Sequence, residues 1–259
     1  MIIQQTERSL NLLKQAKTGY NESMKNLTTD QLRQLNMYSI YTEKPERPLF
    51  TLQTLLDPNG IADTLNIIQA VSGSPNQTVA ASYFMRRVGM FVAMQFYNLA
   101  AYDEVWDGDP DTLLFGAIEE YGKLSVSTFA RAEDWRHVED DERQAVIRQI
   151  LSEQCSSVIK QLRTVSSVSP LTLWENIFGF LLWQYHVLLS DPSSADEARA
   201  DFDMLKDDAL WDGTATRSLF STYLKGCEPS ALINTEVRTT CCFSKDVPGL
   251  MQCGFCPLK

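Results

Sequence analysis

Residues 74–102, SPNQTVAASYFMRRVGMFVAMQFYNLAAY, decide the fold class. Ser74 can cap a helix, Pro75 fits a first helical turn where its missing N–H costs nothing, and Gln77 can reach back to the cap. The helix they open runs to about Tyr102. It is apolar almost all round, which places it at the centre of the molecule. Arg86 and Arg87 interrupt it midway. Charges in a buried helix need partners or a polar cavity, so the pair predicts either ion pairs to structural carboxylates or contacts to an anionic ligand.

Helix signals dominate on both sides. Residues 2–17 carry apolar positions at helical spacing, Thr28-Thr29-Asp30-Gln31 forms a capping box, and Asp57-Pro58-Asn59-Gly60 is a turn ahead of a helix from Ile61 to Val71. The acidic block from Glu139 to Glu142 favours the positive end of a helix dipole, before a helix reaching about Arg163. Ser169-Pro170 and Asp191-Pro192 predict capped helices near 170–190 and 192–208, and a last helix near 215–225 ends at Gly226. Only residues 104–131 change character. Two arms flank Tyr121-Gly122 as a β-hairpin, with Val105-Trp106 as the expected third strand. The expected fold is α+β and mainly α-helical. One helical domain spans 1–235 with a small antiparallel sheet near 104–131, and an irregular C-terminal segment occupies 236–259.

Bulk properties narrow the function classes. The 259 residues carry a net charge of −10 and are 44% hydrophobic and 22% charged. No basic stripe offers itself to phosphates, so a nucleic-acid partner is excluded. The most apolar run, Ile177 to Leu189, is broken by Gln184 and His186 and is too short for a transmembrane segment. Residues 1–17 lack the pattern of a signal peptide. The expected location is cytoplasmic, where clustered cysteines serve as metal ligands or redox groups more often than as disulfides.

From Arg238 the chain reads RTTCCFSKDVPGLMQCGFCPLK. Four of the six cysteines lie here, Cys241, Cys242, Cys253 and Cys256, in the pattern C-C-x10-C-x2-C. Cys253 and Cys256 form the usual chelating turn of zinc and iron–sulfur sites. Adjacent Cys241 and Cys242 point to opposite faces of an extended backbone, so both serve one centre only if the backbone bends there. Pro248-Gly249 supplies a reversal. Four thiolates suit zinc or an Fe–S cluster, not magnesium or calcium. Arg238, Lys245 and Lys259 stand against Asp246 alone, so this segment is locally positive within an acidic chain, and positive charge helps a cluster hold an added electron. A structural zinc knot shares the donor set, and its sites usually space each two ligands by at least two residues. Cys155 falls on the apolar side of a helix as a small core residue, and Cys227 suggests a structural role. His137 lies in a charged loop, and His186 fits a satisfied core histidine.

This tail resembles the FhuF-like ferric siderophore reductases. The resemblance rests on C-C-x10-C-x2-C, on Arg238 just before the pair, on Gly254 within C-x2-C and on the short segment after Cys256. It covers about the last 22 residues. It implies a [2Fe–2S] cluster held by Cys241, Cys242, Cys253 and Cys256, and a one-electron transfer to siderophore-bound ferric iron. It also implies a substrate cavity in the helical body and Arg238 as a charge contact to cluster or siderophore; Arg86 and Arg87 join it as candidate anion contacts if their helix lines that cavity. No G-x-G-x-x-G or P-loop is present, so the electron donor is expected to be another protein of ferredoxin type. The alternatives carried beside this reading are an electron carrier and a zinc-stabilised binding module without a small-molecule substrate.

Overall fold

The central helix begins two residues later than its sequence suggests. In a computed structural model, which describes residues 27–120 and 122–258, the helix is Gln77–Tyr102 and its cap is Asn76, whose side chain accepts from the Val79 N–H at 3.0 Å. Ser74 instead exchanges a hydrogen bond with Ser72, and Gln77 reaches Asn66. Asn caps as well as Ser, so the motif was right in kind and shifted in register. The helix expected over 2–17 lies outside the described residues.

Nineteen residues of this helix are buried; it is the axis of the core, as its all-round apolarity requires. The Pro170–Leu188 helix, which follows Ser169 with Pro170 in its first turn and no side-chain capping bond, packs along it more extensively than any other element. The two backbones touch at Gly89, where a Cβ would fall 2.8 Å from the Asn176 carbonyl oxygen. Around this pair lie Thr29–Met37, with its capping box formed, Ile61–Ser72, Ala195–Lys206, Leu219–Leu224 and Pro229–Leu232. Arg143–Gln149 continues through a π-helical stretch, Ile150–Ser156, into Ser157–Val165. The wider π turn sets Gln154 against Gln95 in a buried amide pair at 2.6 Å. The helix expected from Pro192 starts only at Ala195, because Asp191 is occupied in a turn that accepts from Ser193.

The hairpin forms as expected from Leu114–Glu120 and Lys123–Phe129. Its neighbours were not foreseen. Ile40–Tyr41 pairs parallel to one edge and Pro48–Thr51 antiparallel to the other, so the four-stranded sheet is mixed, not antiparallel. Val105-Trp106 does not join it: Glu104–Trp106 pairs with Trp135–His137 in a separate two-stranded sheet. Both hairpin edges are taken by segments that precede the central helix, a long-range pairing that local alternation cannot signal. Among the described residues no helix is long and apolar enough to cross a membrane.

Candidate metal centre in the C-terminal tail

The tail has no core of its own and borrows that of the body. Val237 and Val247 are buried in the main apolar cluster, and Phe243, Leu250 and Phe255 pack against it. Polar contacts then fix it to the Pro170–Leu188 helix. Glu175, 2% exposed, accepts from the backbone N–H groups of Thr239 and Thr240 at 2.8 and 2.9 Å and from both threonine hydroxyls. Arg238, 5% exposed, donates to the carbonyls of Glu175, Thr172 and Thr240 at 3.1, 3.3 and 3.1 Å, and its Nε lies 3.7 Å from the Glu175 carboxylate. One buried carboxylate and one buried guanidinium thus hold the segment leading into Cys241. From the central helix, Ser82 Oγ donates to the Cys242 carbonyl at 2.8 Å, and Asn176 in turn donates to Ser82.

The bend required beside the cysteine pair occurs at Phe243, which adopts a left-handed φ of 56°. That turn aims the Phe243 N–H at Cys241 Sγ, 3.3 Å away, and brings Ser244 Oγ to 3.1 Å from Cys242 Sγ. The second reversal falls at Gly249, φ 82°, as Pro248-Gly249 suggested. The returning segment sets Cys256 Sγ to accept from Gln252 Nε2 and the Leu258 N–H at 3.0 and 3.4 Å. Cys242 and Cys256 are buried, Cys241 and Cys253 half-buried.

Cys253 draws the neighbouring Cys242 thiol well below its ordinary value, and Cys242, with burial, pushes that of Cys253 up. Burial opposes the lowering at Cys242, while Ser244 and the Arg86 charge support it. Among the described residues no third ligating side chain joins this pair to complete a preformed metal site. The donor chemistry nonetheless fits a thiolate-held group: soft sulfurs only, with N–H, O–H and guanidinium donors aimed at them, which is the surrounding that stabilises thiolate charge.

The three arginines separate. Arg87 forms an ion pair with Glu120 at 3.0 Å, and Ser39 also bonds that carboxylate. Arg238 is committed to the helix carbonyls and Glu175, and its charge reaches Cys253 only as a lesser influence. Arg86 is the one that faces the thiols: its Nη1 approaches Cys242 Sγ at 3.9 Å and its guanidinium lies over the Phe180 ring. Burial lowers its proton affinity, and Cys242 and Cys253 pull it back. The sequence expected Arg238 as the charge partner of cluster or siderophore and left Arg86 and Arg87 between structural ion pairs and ligand contacts; Arg87 takes the ion pair. Helical geometry turns neighbouring residues about 100° apart, so Arg86 and Arg87 could not share a target.

Beside the thiol pair opens a cavity of about 340 Å³, walled by Arg86, Asn176, Phe180, Trp183, Arg238 and Cys253 among others. Its size lies within the usual range for small-molecule sites. Glu175, Asn176 and Ser82 escaped the sequence reading because nothing local distinguishes a helix residue that clamps a segment 65 positions away. The remaining cysteines sit apart from this site: Cys155 is wholly buried in the core and Cys227 is exposed. His137 pairs with Glu139 on a strand edge, and His186 is half-buried with its Nδ1 unpartnered. In comparisons with known proteins, no family model matches the chain and no curated protein matches its sequence.

Proposed function

We propose that the protein is a ferric siderophore reductase that holds a [2Fe–2S] cluster on Cys241, Cys242, Cys253 and Cys256 and passes single electrons to chelated iron. The observation that carries this reading is the seating of the four-cysteine tail against an open cavity, with Cys253 in the cavity wall and Arg86 bridging cavity and thiols. When bound, the cluster supplies a one-electron centre.

The chain's own residues do the rest. Glu175 and Arg238 fix the tail, the N–H groups of Phe243 and Leu258 temper thiolate charge, and Phe243 and Phe255 anchor the tail to the apolar core. The cavity holds the chelate within reach of the tail. One electron from a ferredoxin-type protein donor converts the chelated iron from ferric to ferrous. Ferrous iron is a poorer match for hard, charged oxygen donors and leaves. No acid–base dyad is needed, and none is invoked.

A carrier without substrate needs little beyond a cluster fold, whereas here a cavity adjoins the thiols, which favours the reductase. A zinc-stabilised module shares the donor set and is separated by colour and metal content. The test of turnover is stopped-flow mixing of the dithionite-reduced, desalted protein with ferric siderophores and a ferrous trap. Reoxidation with release of ferrous iron is expected. Reoxidation by a protein acceptor alone, with every siderophore inert, would establish the carrier.

A further inference from the structure

The tail borders two concavities that share no lining residue. One is the cavity beside Cys253. The other is an open groove of about 440 Å³, where the reversal at residues 247–250 meets the end of the Ile61–Ser72 helix and the tip of the hairpin. Hairpin and tail touch closely there. Gly249 turns with a left-handed φ of 82°, and its missing side chain leaves room for the Lys123 ammonium: a Cβ would fall 2.5 Å from Lys123 Nζ. Leu124, 42% exposed, lines the groove, and Met251, 86% exposed, follows its lining residue Leu250. Apolar side chains left in water around a polar-rimmed concavity mark a surface that a partner covers.

Charge narrows the partner. Among the described residues of the wall, Glu120 is the only carboxylate, and Arg87 and Ser39 occupy it. Lys123 and Lys245 are both exposed, and among the described residues no carboxylate pairs with either. The chain as a whole carries −10. An acidic protein is therefore repelled by most of the surface and attracted here, which fixes its orientation. Two lysines fall short of the cluster of about four or more that an anionic membrane surface takes. The groove also lies near the thiols: Lys245 follows Ser244, whose Oγ is 3.1 Å from Cys242 Sγ, and Met251 is two positions before Cys253.

We propose that this groove docks the electron donor, an acidic one-electron carrier protein that sets carboxylates against Lys123 and Lys245 and an apolar patch against Leu124 and Met251. Electrons then enter beside the reversal, and the chelate keeps the cavity beside Cys253. The inference rests on the reductase reading and locates its donor. The reduced carrier gives up one electron, the centre held by the tail gains it, and no bond forms or breaks. Electron-transfer complexes are small and transient, which suits a groove rimmed by two flexible lysines.

The test uses a plant-type [2Fe–2S] ferredoxin, an acidic protein, with the cluster-loaded full-length protein at low ionic strength. A carbodiimide joins lysines to carboxylates in contact and reads docking without electron transfer. Peptide mapping should find carboxylates of the oxidised ferredoxin linked to Lys123 and Lys245. In stopped flow with reduced ferredoxin, Lys123→Glu/Lys245→Glu should accept electrons about tenfold more slowly than the parent. Added salt should slow the parent and narrow that difference. Lys123→Arg/Lys245→Arg keeps the charge and should keep the rate. Reoxidation of the charge-reversed variant by a ferric chelate should match the parent. Met251→Ser, at an exposed position, should slow the ferredoxin reaction several-fold.

Links confined to other lysines, no links at all, or an unchanged rate in the charge-reversed variant would overturn the inference. So would dimers of the protein itself linked through Lys123 and Lys245 in the absence of ferredoxin. If ferredoxin docks here and every ferric chelate stays inert, the reductase reading fails and the docking face stands. If the dithionite-reduced protein reduces ferric chelates but ferredoxin does not dock here, the inference fails alone.

Discussion

The central helix and the cysteine tail are held in place by opposite means. Gln77–Tyr102 stays where it is because apolar side chains on nearly every face are removed from water, a non-directional force that tolerates small shifts. The tail lies on the same core with few apolar anchors, and its position comes from directed bonds: Glu175 to two threonines, Arg238 to three carbonyls, Ser82 to Cys242. A helix secured by area is legible in its own periodicity. A segment secured by single hydrogen bonds depends on residues far away in sequence.

The contrast breaks most sharply at Glu175. Glu175→Ala removes the acceptor of four donors and strands the Arg238 charge, and breaking a buried pair this way costs about 3–5 kcal/mol. Denaturant unfolding together with limited proteolysis checks it: the tail should become cleavable near residues 238–258 before the body unfolds. If tail and body stay equally protected, the directed bonds do not hold the tail.

Gly89 tests the apolar side of the contrast. A methyl group there meets the Asn176 carbonyl oxygen and the Ile177 Cα at 2.8 and 3.0 Å, both backbone atoms that cannot swing aside. Gly89→Ala should destabilise the whole protein by about 1–3 kcal/mol. In contrast to Glu175→Ala, it should lower tail and body protection together.

Arg86 and Arg238 sharpen the comparison within the site. Arg86 faces the thiols from the apolar helix, whereas Arg238 serves as an anchor. In the cluster-loaded protein, Arg86→Gln should lower the reduction potential, because a positive charge that favours the added electron is lost; about 59 mV corresponds to a tenfold change in equilibrium. Potentiometric titration should find a smaller shift in Arg238→Gln than in Arg86→Gln. The reverse order would return the role of charge partner to Arg238.

The smallest effect belongs to the Arg87–Glu120 pair. Burial raises the Glu120 carboxyl, but the Arg87 charge and hydrogen bonds from Ser39 and Arg87 outweigh it, so its folded value lies below the ordinary 4.5. A depressed carboxylate adds stability that is fully present above its unfolded value and is lost as pH falls through the folded one. The stability gap between the parent and Glu120→Gln, about 1 kcal/mol for a partly exposed pair, should therefore be constant above pH 4.5 and shrink below it. A gap independent of pH would remove the ion pair as its cause.

These residues also show how far the sequence reaches. The 3.6-residue period, the Thr28 capping box, the helix start at Ser169-Pro170 and the pairing of Leu114–Glu120 with Lys123–Phe129 are local signals, and each formed, although the Ser169 side chain makes no capping bond. The hairpin's outer partners and the cap at Asn76 instead of Ser74 were decided by long-range pairing and by competition between neighbouring polar side chains, which local patterns do not carry. At the site, the sequence singled out the four cysteines by their spacing, and of these the fold sets Cys242 beside Cys253. The Phe243 bend was not legible, since an aromatic residue gives no hint of left-handed backbone.

The claim on which the rest depends is that the tail holds a [2Fe–2S] cluster. Anaerobically purified protein should be red-brown, contain iron and acid-labile sulfide in equal amounts, and show no electron paramagnetic resonance signal until dithionite is added. The reduced signal should then appear, and it should be lost or destabilised in Cys253→Ser but kept in Cys155→Ala. A colourless protein carrying zinc, or a Cys253→Ser protein with an unchanged spectrum, would contradict the account.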